Sequence, residues 1–324
     1  MAAKLSASVG VNAVNKKDDV MLVQQKLNAL LMSAGGKTNL SSVNANISNL
    51  GLIPPFEALK EDGGIGAKTI AAIVWFQKNI LESSRTDGII NPNGPTFKRL
   101  INPVTMINIK TLVEKSIALP SASTGIKLSD TDYEATAKDL GLEIEVIKAV
   151  TRVESSGSGF SSDFRPIIRF EAHIFSSIKY GTNHFYDKLF PTISVLRRTD
   201  SLVQGGDAGQ KREYIRLIQA MALDRIAALK ATSWGLFQIM GFNYQTAGFN
   251  SVDNMINAMY KSEGEQLKAF ASFIKKNNLV KYLKKDRHDW TGFALHYNGT
   301  DSDGEVSGRY DKKIEKAYNA MVKK

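Results

Sequence analysis

The chain has 324 residues, more than one hydrophobic core normally organises, so two domains are expected. It contains no cysteine, which excludes disulfides, a thiolate nucleophile and thiolate zinc sites, and its four histidines lack an H-E-x-x-H or related spacing, so neither metal nor cofactor is expected. Lys and Arg outnumber Asp and Glu by 42 to 32, but the excess is spread out: residues 1–101 hold 11 basic and 7 acidic side chains, leaving 31 and 25 for the remainder, and no basic run with interleaved aromatics argues for nucleic acid.

The first ten residues, Met1 to Gly10, lack a continuous apolar stretch, and no later run is long enough to cross a bilayer. Neither a signal peptide nor stable membrane insertion is expected. Val20, Val23, Leu27, Leu30 and Leu31 form one apolar helical face behind Asp19, which is placed to cap it. A polar stretch from Ser33 to Asn49 follows, then Asp62-Gly-Gly-Ile-Gly-Ala-Lys-Thr69, a glycine turn feeding a second helix that ends near Phe76-Gln77. Gly66-Ala-Lys-Thr69 is not a phosphate loop, because Ala67 stands where that motif needs glycine and no strand precedes it. The turn signal recurs at Asp87-Gly88, with Pro95 and Thr96 opening a last short helix. Residues 102–125 read as a linker, partly helical around Thr111–Ala118.

Beyond the linker the periodicity is helical over Asp132–Leu140, Glu143–Glu154, Gln210–Lys230, Val252–Asn277 and Asp289–Tyr297, with strand signal only near Ile167–Phe170. Glu154 continues the inward stripe of Ile147 and Val150, just before Gly157 and Gly159 stop the helix. Burial there raises a carboxyl pKa and suits a glycosidase acid. Ser233-Trp-Gly-Leu-Phe-Gln-Ile-Met-Gly-Phe-Asn-Tyr244 combines aromatics with neutral hydrogen-bonding groups, the chemistry that a sugar ring needs. His296-Tyr-Asn-Gly-Thr300 is a third polar and aromatic cluster.

Together with Arg165–Phe175 and Arg309-Tyr310, these blocks resemble the N-acetylmuramidase domain of modular phage endolysins over about residues 126–324. Residues 15–101, with the two Asp-Gly turns and the Thr and Phe-Gln positions, resemble the three-helix peptidoglycan-binding domain found beside wall hydrolases. The resemblance implies a mainly α protein: a small three-helix binding domain (1–101), a linker (102–125) and a lysozyme-like α-rich catalytic domain with a small β-hairpin (126–324). It implies a glycoside hydrolase that cleaves the β-1,4 bond between N-acetylmuramic acid and N-acetylglucosamine, with peptidoglycan bound by both domains of a monomer. It places the general acid on Glu154 and the substrate groove around Ser233, Trp234, Gln238, Tyr297 and Asn298. Glu171, after the short strand, is the candidate second carboxylate, with Asp163 next and an ion pair to Arg165 or Arg169 as its plain alternative. The alternatives are a lytic transglycosylase, which needs no second carboxylate, and a non-catalytic wall-binding or virion protein. Synthesis in the host cytoplasm and holin-mediated release to the wall would follow for such a phage protein.

Overall fold

The computed structural model describes residues 3–33, 58–83, 86–102, 118–121, 123–154, 158–197, 206–300 and 306–323. The expected polar segment after Ser33, most of the expected linker with its helix, and Gly157 lie outside the described residues. The described chain is mainly helical, with two small antiparallel sheets. It divides into two compact units: Met1–Leu119 with Ala172–Arg198 and Ile215–Ala228, and Pro120–Glu171 with Thr199–Tyr214 and Leu229–Lys324.

In the first unit, strand β1 (Val9–Gly10), helix α1 (Lys17–Ser33), helix α2 (Ala67–Asn79), strand β2 (Ile89–Ile90) and helix α3 (Pro95–Ile101) follow one another. β1 and β2 pair antiparallel, Val9 with Ile90 and Gly10 with Ile89. Val20, Val23 and Leu27 from α1 pack with Ile73, Trp75 and Phe76 from α2 and with Phe97 and Leu100 from α3, which makes one small core. Asp19 does not cap α1. The helix begins at Lys17, and the buried Asp19 carboxylate accepts the backbone N–H groups of Ser6 and Ala7 at 2.9 Å each, tying down the entering chain.

Two buried glutamines grip the two Asp-Gly turns in the same way. Gln24 accepts from the Gly63 N–H (2.9 Å) and donates to the Gly64 carbonyl (3.0 Å). Gln77 accepts from the Gly88 N–H (3.0 Å) and donates to the Ile89 carbonyl (3.0 Å). Each turn is closed by its aspartate, Asp62 on the Gly64 N–H (2.8 Å) and Asp87 on the Ile89 N–H (2.9 Å). Gly63 and Gly88 have φ of 70° and 68°, a conformation that costs glycine little and other residues more.

The second unit contains α4 (Asp130–Leu140), α5 (Ile144–Glu154), β3 (Ile168–Phe170), β4 (Thr232–Trp234), β5 (Ile239–Met240), α8 (Val252–Lys261), α9 (Glu263–Lys276), α10 (Trp290–Tyr297) and α11 (Tyr310–Val322). The intervening α6 is Ala172–Ser176, and α7 is Gly206–Lys230, kinked at Asp224, where the backbone leaves helical geometry. Just before the expected strand the chain turns back antiparallel on itself, Phe160 opposite Pro166, and the strand then runs on. It adds to a β4–β5 hairpin, with Arg169 opposite Ser233 and Ser233 opposite Met240. The single helix expected over Val252–Asn277 is two helices, because Ser262 is extended (φ −168°, ψ 162°) and its hydroxyl caps α9 by accepting from the Glu265 N–H.

Candidate active site

α5 delivers Glu154 from its last turn. Its buried face of Val146, Ile147, Ala149 and Val150 packs against α11, so the carboxylate emerges where that apolar stripe ends. The side chain is half-buried, and enclosure of the carboxyl drives its pKa up to about 7. The opposing influence is the Tyr310 hydroxyl at the start of α11, which lowers it. That hydroxyl is buried and completes no hydrogen bond of good geometry among the described residues.

An aromatic cluster backs the acid. Tyr297 lies in the field of Glu154, and its ring stacks on Phe293 (5.3 Å between centroids) and, more loosely, on Tyr310 (6.0 Å). The Tyr297 hydroxyl donates to the Phe237 carbonyl at 3.1 Å, which pins the end of α10 to the β4–β5 turn. Phe237 stacks on Phe270 at 4.4 Å. Apolar rings on this side of the carboxyl supply no charge to stabilise its ionised form, which is why burial dominates its pKa.

Two side chains of α9 hold the loops around this region. Glu263, buried, accepts from the Gly159 N–H (2.7 Å), the Leu128 N–H (3.1 Å) and Lys127 (3.0 Å). Gln266, also buried, accepts from the Leu236 N–H (2.7 Å) and donates to the Met259 carbonyl (2.8 Å). Gly159 and Gly235 both back onto Gln266: a Cβ at Gly235, whose φ is 71°, would sit 2.7 Å from the Gln266 amide carbon. Gly159 and the β4–β5 turn are thereby fixed by one helix.

The other residues expected at the site are placed as follows. Ser233 is buried and donates to the Gln238 side-chain oxygen at 2.9 Å. Gln238, half-buried with φ of 47°, donates to the carbonyls of Gly235 (2.8 Å) and Ile167 (3.2 Å). These two side chains hold the turn. Trp234 is fully buried, with its indole N–H on the Leu229 carbonyl (3.2 Å), so it belongs to the core and offers no face for a sugar to stack on. Asn298 is exposed at the end of α10 and donates to the Ser307 carbonyl at 3.3 Å. Glu171 is held by Arg169 at 3.0 Å, one of the two ion pairs foreseen for it. Arg165 instead binds Asp163 (2.9 Å) and lies 4.0 Å from the centroid of the Tyr214 ring. Tyr310 was missed as a site residue: it was legible only as part of a motif, because its relation to Glu154 depends on packing between α5 and α11, over 150 residues apart.

Residues 143–322 match the family model of N-acetylmuramidase. The chain belongs to the N-acetylmuramidase family. The family segment carries Glu154, the β4–β5 turn and Tyr310 together. The chain is 35% identical over 96 residues to an endolysin of Enterobacteria phage PRD1, covering 28% of this chain and 62% of that relative. It thus spans less than two thirds of that relative's length. Among solved structures, the crystal structure of Burkholderia AP3 phage endolysin is similar at a TM-score of 0.53 and 29% identity, covering 94% of this chain and 96% of that one. The likeness to that endolysin therefore extends well beyond the muramidase segment.

Proposed function

We propose that this muramidase-family chain is a phage endolysin that hydrolyses the β-1,4 bond between N-acetylmuramic acid and N-acetylglucosamine in bacterial peptidoglycan. The observation that carries the reading is Glu154 with a pKa of about 7, half-buried and backed by tyrosine and phenylalanine rings. Near neutral pH a large fraction of such a group is protonated, so it can donate to the departing glycosidic oxygen as the bond breaks. The exposed Asn298 amide and the rim of the β4–β5 turn supply neutral hydrogen-bonding groups for acetamido and hydroxyl groups. The cationic excess of the chain favours approach to an anionic wall. Residues 1–101 act as the peptidoglycan-binding domain and 126–324 as the catalytic domain of a monomer that stays in the host cytoplasm until a holin releases it.

In the hydrolytic route Glu171, paired with Arg169, orients the attacking water. The same ion pair supports a second reading. A carboxylate already engaged by arginine is a poorer nucleophile or base, and a lytic transglycosylase dispenses with it by using the muramic 6-hydroxyl. Mass spectrometry of fragments released from purified peptidoglycan separates the two. Reducible muramic ends support the hydrolase, 1,6-anhydro ends the transglycosylase, and cleaved peptides on intact glycan overturn both.

A further inference from the structure

The segment 280–289 carries four cations, Lys281, Lys284, Lys285 and Arg287, against two carboxylates, Asp286 and Asp289. Lys285 is engaged by Glu143 at 3.1 Å, and Arg287 reaches Asp289 only at 3.7 Å. Lys281 and Arg287 are gathered around one ring, with the ammonium 4.9 Å and the guanidinium carbon 5.4 Å from the Tyr282 centroid. Tyr282 stacks on the exposed His296 at 5.0 Å and 25°, and its hydroxyl lies 3.4 Å from His296 Nε2. His296 Nδ1 is in turn 2.7 Å from the Gly292 carbonyl, which fixes it as the protonated nitrogen when the ring is neutral.

Exposed lysine, arginine and histidine side chains ordinarily keep their rotamer freedom. Here they are gathered around one ring, against the helix that also carries Tyr297. His296 immediately precedes Tyr297 and Asn298 on α10, whose end is pinned by the Tyr297 hydroxyl to Phe237.

We propose that Lys281, Tyr282, Arg287 and His296 form an outer binding site for the carboxylate-bearing peptide arm of the wall glycan. It rests on the reading of the chain as a peptidoglycan glycosidase. A planar guanidinium beside an ammonium matches carboxylates, and the edges of the stacked Tyr282 and His296 rings give a peptide's aliphatic carbons an apolar surface. A sugar ring without an ionised carboxylate has no use for either cation, so the site favours glycan that carries the carboxylate-bearing peptide over uncharged glycan.

The test measures binding by the full chain carrying Glu154→Gln, which prevents turnover. Three probes are used: soluble glycan fragments bearing peptides, the same fragments with peptides removed and the freed lactyl carboxylate converted to an amide, and a glycerol-phosphate polymer. Adding Lys281→Gln and Arg287→Gln together should weaken binding of the peptide-bearing fragments about three- to tenfold at low salt, less at high salt, and leave the peptide-free fragments unchanged. His296→Ala should weaken the same probe alone. Equal loss on peptide-free fragments, no loss on peptide-bearing ones, or loss confined to the phosphate polymer overturns the proposal while the glycosidase reading stands. Failure of the parent protein to bind either glycan overturns both.

Discussion

The Tyr310 hydroxyl is buried beside Glu154, lowers that residue's pKa, and has no hydrogen-bond partner of good geometry among the described residues. A buried hydroxyl without a partner costs stability, and one next to an acid that must lose its proton gains a partner at the moment of reaction. Tyr310→Phe removes the polar influence that, among the described residues, opposes burial of the carboxyl. The Glu154 pKa then rises above about 7, and the alkaline limb of kcat/KM against pH moves upward. The maximal rate falls about tenfold, because the newly ionised carboxylate has lost its donor. The fold should tolerate the change, since no hydrogen bond of good geometry is broken. A pH profile with an unmoved limb would separate Tyr310 from the chemistry.

Glu154→Gln should lower wall-clearing activity by at least about 10²–10⁴-fold, the usual contribution of a general acid. It should also stabilise the protein above neutral pH. The unfolded chain loses this proton near 4.5 and the folded one near 7, so across that interval the unfolded state binds fewer protons and wild-type stability falls as pH rises. Glutamine does not titrate. The variant's gain is therefore absent below pH 4.5, grows between 4.5 and 7, and levels off at no more than about 3 kcal/mol. Thermal unfolding of both proteins at pH 4 and pH 8 reads the difference directly.

The acid itself was legible because helical spacing, a terminating glycine pair and a carboxylate coincide within a few residues. Chain-order patterns also gave both Asp-Gly turns and the short strand at Ile168–Phe170. What the sequence could not reveal was which polar groups are consumed by the fold. Trp234 and Ser233 look like sugar ligands by composition, yet one is fully buried and the other bonds Gln238, and nothing local distinguishes an indole in a core from one lining a groove. Ser262 was lost inside an unbroken apolar period, because its neighbours keep helical spacing across the break. Gln24 read as an ordinary helix residue and Gln77 only as part of the Phe-Gln signature, although each closes a turn far away in sequence or in the next element.

The equivalence of those two glutamines predicts equivalent costs. Gln24→Ala leaves the Gly63 N–H and Gly64 carbonyl without their partner, and Gln77→Ala does the same at Gly88 and Ile89. Each should destabilise the first unit by about 1–3 kcal/mol. Binding to purified peptidoglycan, followed through a thermal ramp, should be lost at lower temperature in both variants. If only one were sensitive, the two turns would not be energetic equivalents.

Glu171→Gln distinguishes the two glycosidic routes by rate alone. If Glu171 orients water, the substitution should reduce kcat at least tenfold and leave the alkaline limb set by Glu154 in place, because Arg169 retains a neutral hydrogen-bonding partner and the fold is kept. Undiminished activity would assign Glu171 to the ion pair only and favour attack by the substrate's own hydroxyl.

Gly235→Ala tests whether the grip of α9 on the β4–β5 turn matters for catalysis. The glycine has φ of 71°, and an added Cβ would lie 2.7 Å from the Gln266 side-chain amide, which itself holds the Leu236 N–H and the Met259 carbonyl. Strain of about 1–3 kcal/mol is expected from the backbone, and the amide must shift to relieve the contact. A shifted Gln266 releases Leu236, next to the Phe237 carbonyl that anchors Tyr297, so the wall of rings behind Glu154 loosens. Activity should fall more steeply than stability, and Gln266→Ala alone, which also leaves the Leu236 N–H without its acceptor, should lower kcat to a similar extent. Undiminished kcat in that variant would locate the damage in the glycine's own backbone conformation.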